Sequence, residues 1–256
     1  MKKLKINPIR LTHRVIRKIK KLGKQRILVL GDSHARVFNH NDADIPGYWF
    51  DTVAVGGATV SGLKNPNSVT QAMPIFGNAI ETSNAKVCIT LLGEVDTGFV
   101  IWYRSKKYNI NVNEMLDQAV RNYIEFTKNI SRSKHVVIVS CPLPTIQDNQ
   151  DWGEIANLRK EVTATQKERT DLTIEFNSRM ESFAEDNGIS FINLDSVSLN
   201  EAGVIKSELL NSNKYNHHYD RKAYVAMLLP RMEEILKGLG RSESSKMEGR
   251  LAVLSE

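Results

Sequence analysis

Four short stretches hold the residue types that chemistry needs: Gly31-Asp32-Ser33-His34, Gly56-Gly57-Ala58-Thr59, Gly93-Glu94-Val95-Asp96 and Asn216-His217-His218-Tyr219-Asp220. The first follows the apolar run Ile27-Leu28-Val29-Leu30 directly and opens a helical pattern. A serine at such a strand-to-helix turn faces a crevice, where it can serve as a nucleophile once a base takes its proton. Asp and Ser are also common helix caps, so the same spacing suits a purely structural turn. Gly56-Gly57 could cradle a phosphate, but the dinucleotide fingerprint and the Walker pattern are both absent, and no cofactor is expected.

The elements that must carry these stretches are short β-rich runs alternating with longer helical patterns, the mark of repeated βαβ units around a parallel sheet. The runs are Ile27 to Leu30, Trp49 to Val55, Val87 to Leu92, His135 to Ser140 and Ile189 to Leu194. Helical stripes appear at Met115, Ala119, Tyr123, Phe126 and Ile130, and at Leu172, Phe176, Met180 and Phe183; a last helix is expected from about Tyr219 to Leu236, with Pro230 inside it. The expectation is an α/β protein, a three-layer α/β/α sandwich on a five-stranded parallel sheet. Ligands of such sheets bind at the carboxyl ends of the strands, which is where the four stretches fall.

In order and context these stretches resemble the SGNH (GDSL-like) hydrolases, and the resemblance runs from about Arg26 to Leu236. It implies a flavodoxin-like SGNH hydrolase fold, with Ser33 as nucleophile and the backbone N–H groups of Ser33 and Gly57 in the oxyanion hole. HYDRKAY, opening the last helix, resembles the family's final block and implies His218 as the catalytic base. Two positions depart from the family. Val95 stands where the third block usually carries an oxyanion-donating asparagine, and Tyr215 stands where an aspartate three residues before the histidine would orient it. Asp96 or Glu94, both on the third crevice loop, could turn into the site as acid, base or ligand-binding group; alternatively a Ser33–His218 dyad could have its imidazole held by a backbone carbonyl. GEVD in place of GxND also resembles proteins linked to polysaccharide biosynthesis.

Other residues are candidates for contact with substrate. Asp32 and His34 flank the serine, and Arg36 could steer a charged substrate or stand as an ordinary surface arginine. Trp102, Tyr103 and Arg104 lie in an aromatic and basic stretch that could stack a sugar ring or bind an anion, or could simply pack on the sheet edge. His217 is expected beside the site. Neighbouring histidines on one segment point apart, so no metal site is expected. Cys88 and Cys141 sit in or beside apolar runs and read as buried thiols.

The net charge of +6 is unevenly distributed: residues 1–26 hold eleven Lys or Arg and no acidic residue, which leaves 24 basic against 29 acidic residues, about −5, for the remainder. Three parts follow, a basic amphipathic extension over 1–25, the hydrolase-like domain over 26–238 and a polar, disordered tail over 239–256. The extension could lie on an anionic membrane through residues 1–24, or pack on its own domain. No aromatic residues are interleaved with its charges, so no nucleic-acid partner is expected. No secretory signal or spanning segment is read, and the expected location is the cytoplasm, with peripheral contact at the inner membrane face. The function these features imply is a serine esterase or acyltransferase acting on an acyl, in particular acetyl, ester of a carbohydrate; the alternative is a catalytically weakened protein of the same fold that binds a glycan or nucleotide-sugar.

Overall fold

The computed structural model describes residues 22–148 and 162–253, with side chains to 241. The basic stretch over 1–21 lies outside the described residues. The chain runs β1 (Gln25–Gly31), a 3-10 turn (Ser33–Asn39), β2 (Tyr48–Ala54), α1 (Ala72–Thr82), β3 (Val87–Leu91), a π-helical turn (Asp96–Val100) leading into α2 (Ile101–Tyr108), and α3 (Val112–Ser131). It continues through β4 (His135–Val139), α4 (Gln166–Asp186), β5 (Ser190–Ile192), α5 (Asp195–Ser198), a second 3-10 turn (Ser207–Leu209) and α6 (Arg221–Val253). All strands pair in parallel in the order β2-β1-β3-β4-β5. This is the expected five-stranded α/β architecture.

Alternation along the strands sorts side chains onto two cores. Leu28 and Leu30 of β1 join Cys88, Val136 and Ile138 on one face, under Phe76 of α1, the α3 stripe Ala119, Tyr123, Phe126 and Ile130, and the α4 stripe Leu172, Phe176, Met180 and Phe183. Ile27 and Val29 join Ile89, Leu91, Val137 and Val139 on the other, against Phe38, Tyr224, Leu228, Met232 and Leu236. A parallel sheet covered on both faces needs such near-continuous apolar strands. Cys88 and Cys141 are buried free thiols, as expected.

β1 is an interior strand, and the chain leaves it towards β2 on one side while β3 lies on the other. That reversal opens a crevice at the carboxyl ends of β1 and β3. Gly31 lets the two strand ends close up, because a Cβ there would overlap the Leu91 carbonyl oxygen and come within 2.7 Å of the Ala35 Cβ.

Two expectations about the last helix are corrected. It starts at Arg221 rather than Tyr219, since Tyr219 sits in a bridge with Leu210. It also continues past Gly240 to Val253, through the stretch expected to be disordered. That segment is polar, but it contains no proline and its Ser, Glu, Lys, Met and Arg residues are compatible with a helix.

Candidate active site

Asp32 follows β1 and caps the 3-10 turn: its Oδ1 accepts from the backbone N–H of His34 at 2.8 Å and lies 3.0 Å from His34 Nδ1. The capping and nucleophile readings of this turn therefore belong to different residues. Asp32 supplies the cap, and Ser33 Oγ is left to meet His218 Nε2 at 2.8 Å.

His218 comes from the loop before α6, 185 residues further along the chain. Flanking residues pin that loop to the segment after β4: Thr145 Oγ1 donates to the His217 carbonyl at 2.6 Å, and the Tyr219 hydroxyl accepts from the Leu143 N–H at 2.8 Å. Asn216 then orients the ring. Its Oδ1 accepts from the His218 backbone N–H at 3.1 Å and lies 2.7 Å from His218 Nδ1. An atom that accepts a backbone N–H is the amide oxygen, so Nδ1 must bring the proton, and Nε2 is left as the acceptor facing Ser33. The ring is neutral near pH 7. Burial, aided by His34, His217 and Arg36 and opposed by Glu94, pushes its pKa down to about 3.

The rings of His34 and His217 lie 4.5 Å and 4.2 Å from that of His218. The expectation that neighbouring histidines diverge is thus not met. The pair lies in a turn closed by Asn216, not in an extended strand that would send the two rings to opposite sides.

A cleft of about 500 Å³ opens beside Ser33 and His218, lined among others by Arg36, His40, Asn211, Asn216 and Arg221. Arg221 pairs with Asp42 at 3.2 Å and lies 3.0 Å from His40 Nδ1. Arg36 is exposed, has no ion pair among the described residues, and would lie 3.6 Å from a Cβ added at Gly56. Gly57, at φ +72°, takes the left-handed backbone conformation that favours glycine, in a loop tied to the end of β1 by the Val55 N–H and Gly31 carbonyl at 2.9 Å.

No family model and no curated protein matches this sequence. Solved structures do match. A GDSL-like lipase from Bacteroides thetaiotaomicron superposes over 90% of this chain and 97% of its own, with TM-score 0.51 at 14% identity. A protein assigned as an arylesterase from Agrobacterium tumefaciens covers 84% of this chain and 99% of its own, with TM-score 0.51 at 12% identity. A protein assigned as an SGNH hydrolase from Slackia heliotrinireducens covers 82% of this chain and 99% of its own, with TM-score 0.50 at 15% identity. The chain has the SGNH hydrolase fold.

Within this SGNH fold, several expected site residues have other duties. Asp96, expected as an acid, base or ligand-binding group, is held by the backbone of the second crevice loop. It is fully buried, and its two oxygens accept from the Val60 N–H at 2.8 Å and the Ser61 N–H at 3.0 Å, bracing the loop that carries Gly57. Burial raises its pKa to about 6 against the opposing pull of those hydrogen bonds and of Arg104. Glu94 is buried near enough to bear on the charge of His218. Trp102 donates from Nε1 to the Thr97 carbonyl at 2.7 Å and packs on the core, Tyr103 stacks on Phe99, and none of Trp102, Tyr103 and Arg104 lines the cleft. Tyr215 is 57% exposed beneath Lys214 Nζ. The orienting group is neither a carboxylate nor a backbone carbonyl but the Asn216 side chain, whose only sequence signal is its place two residues before His218.

Proposed function

We propose that this SGNH-fold chain is a serine esterase or acyltransferase acting on an acyl, in particular acetyl, ester of a carbohydrate. The observation that carries this reading is the 2.8 Å approach of Ser33 Oγ to a histidine nitrogen whose other side is held by Asn216. His218 Nε2 takes the hydroxyl proton as Oγ bonds to the ester carbonyl carbon. The developing oxyanion is held by the backbone N–H groups of Ser33 and Gly57. Collapse breaks the bond to the alkoxide, which takes the proton from Nε2. A water or an acceptor hydroxyl then repeats the steps in reverse and removes the acyl group. Arg36 and Arg221 on the wall of the cleft beside Ser33 favour a hydroxyl-rich or anionic substrate over a long acyl chain. The similar structures include proteins named as a GDSL-like lipase and an arylesterase, which agrees with an ester substrate.

The test is release of p-nitrophenol from p-nitrophenyl acetate by the parent, Ser33→Ala and His218→Ala. Activity confined to the parent, with all three proteins equally folded, supports the serine mechanism. A parent no faster than its variants counts against it.

Val95 favours a second reading, because it leaves the third block without the side-chain donor whose loss can cost ~10²- to 10³-fold in rate. On that reading the cleft binds a glycan or nucleotide-sugar without turnover. Undiminished glycan affinity in Ser33→Ala, with a parent inert on all esters tried, would select it.

Residues 1–24 are proposed to bring the protein to anionic membranes through their Lys and Arg side chains. Co-sedimentation with phosphatidylserine vesicles at low salt should fall when they are removed; unchanged co-sedimentation refutes the idea.

A further inference from the structure

His34, from the turn after β1, and His217 with His218, from the loop before α6, bring three imidazoles together so that one ligand nitrogen from each lies within 4.8 Å of the others. Three nitrogens around a tetrahedral Zn²⁺ stand roughly 3.3 Å apart, given Zn–N bonds of about 2.0–2.1 Å. Small side-chain rotations span that difference. Metal-ligating imidazoles are typically backed by an acceptor on their second nitrogen, which fixes the ring and raises its basicity. Such acceptors stand behind His34 and His218: Asp32 Oδ1 lies 3.0 Å from His34 Nδ1, and Asn216 Oδ1 lies 2.7 Å from His218 Nδ1. His34 is buried while the other two are half-buried, and the cleft touching His34 and His218 provides the entry path. An all-imidazole set suits Zn²⁺, Cu²⁺ or Ni²⁺ and offers nothing to the oxygen-seeking Ca²⁺ or Mg²⁺.

We propose that His34, His217 and His218 form a binding site for a Zn²⁺-type divalent cation, and that its occupancy takes His218 from Ser33 and switches the hydrolytic centre off. Through Nε2 the metal would claim the atom that faces Ser33 Oγ at 2.8 Å. The switching half rests on the serine-esterase reading; the site itself does not.

Titration of the untagged full chain with Co²⁺, followed by the visible absorption of four-coordinate cobalt, tests the site. One Co²⁺ per chain is expected, displaced by Zn²⁺. The band should vanish in His34→Ala and in His217→Ala, and persist in His40→Ala, which changes a histidine of the same cleft outside the trio. No band in the parent, or a band that survives both trio substitutions, overturns the site. In parallel, Zn²⁺ should suppress p-nitrophenyl acetate hydrolysis by more than 10-fold and EDTA should restore it, while His217→Ala, compared with its own metal-free rate, should lose most of this sensitivity. Acceleration by Zn²⁺ overturns the switch. Because cobalt absorption requires no turnover, failure of the esterase reading and failure of the metal site give different results.

Discussion

The side-chain oxygen of Asn216 binds His218 twice, at its backbone N–H and at Nδ1. A neutral amide thus sits where catalytic triads more often use a carboxylate. It selects the same tautomer but lends the imidazolium no opposite charge.

Replacing Asn216 separates those two roles. Asn216→Ala should lower kcat on p-nitrophenyl acetate by ~10²-fold or more with little change in KM, as the tautomer lock is lost. Asn216→Asp keeps the acceptor, adds a charge and should retain or exceed parental kcat. Equal losses in both variants would show that the amide does not act by orienting the ring.

The depressed pKa of His218 sets the acid side of the pH profile. A general base works in its neutral form, and with its pKa pushed from 6.5 to about 3 the ring stays neutral far below the usual range. The acid limb of kcat/KM should therefore fall below pH 5. A limb centred between pH 6 and 7 would assign His218 an ordinary pKa.

Asp96 should matter for stability and loop order more than for proton transfer. Asp96→Ala leaves the Val60 and Ser61 N–H groups without their acceptor and should cost ~1–3 kcal/mol in urea unfolding. Because burial raises its folded pKa from 3.8 to about 6, the folded state holds this proton more tightly than the unfolded one. The stability that proton contributes is complete below pH 3.8 and is lost as pH rises through about 6. The difference in unfolding free energy between parent and Asp96→Ala should follow that course, and a pH-independent difference would contradict it.

Gly31→Ala tests the closeness of β1 and β3. The added methyl meets the Leu91 backbone and the Ala35 Cβ, neither of which is the end of a flexible side chain, and overpacking of this kind costs ~1–3 kcal/mol or more. Lower thermal stability is expected, together with reduced hydrolysis at temperatures where the variant is folded, since the strain falls two residues before Ser33. A variant as stable and as active as the parent would refute the close fit.

Much of the fold could be read from the residues because burial imposes a period on them. β1 is apolar from Ile27 to Leu30 and β3 is apolar but for Thr90, and the Tyr123 and Phe176 stripes have helical spacing, so sheet and helices are legible in the sequence. The turn at Ser33 was visible for the same reason: it ends an apolar strand. Asn216 carries no such pattern, since its role depends on how one loop folds back on itself. Asp96 misleads because a carboxylate on a crevice loop looks the same in sequence whether it faces substrate or two backbone N–H groups. Trp102 misleads likewise, its indole being turned to its own backbone. The histidine pair would diverge in an extended strand, but it lies in a turn. Past Gly240 the polar composition suggests disorder, but polarity alone does not prevent a helix.

The distance along the chain between Ser33 and His218 also bears on synthesis. On the ribosome the serine emerges 185 residues before the histidine, and for that whole interval its hydroxyl is an ordinary alcohol without this base beside it. The partner histidine arrives only after β5 has been translated, in a loop that Thr145 and Tyr219 fasten to the segment following β4. A nascent or truncated chain lacking that loop has the nucleophile without its base, so assembly of the reactive pair reports that the last strand and the loop beyond it have found their places.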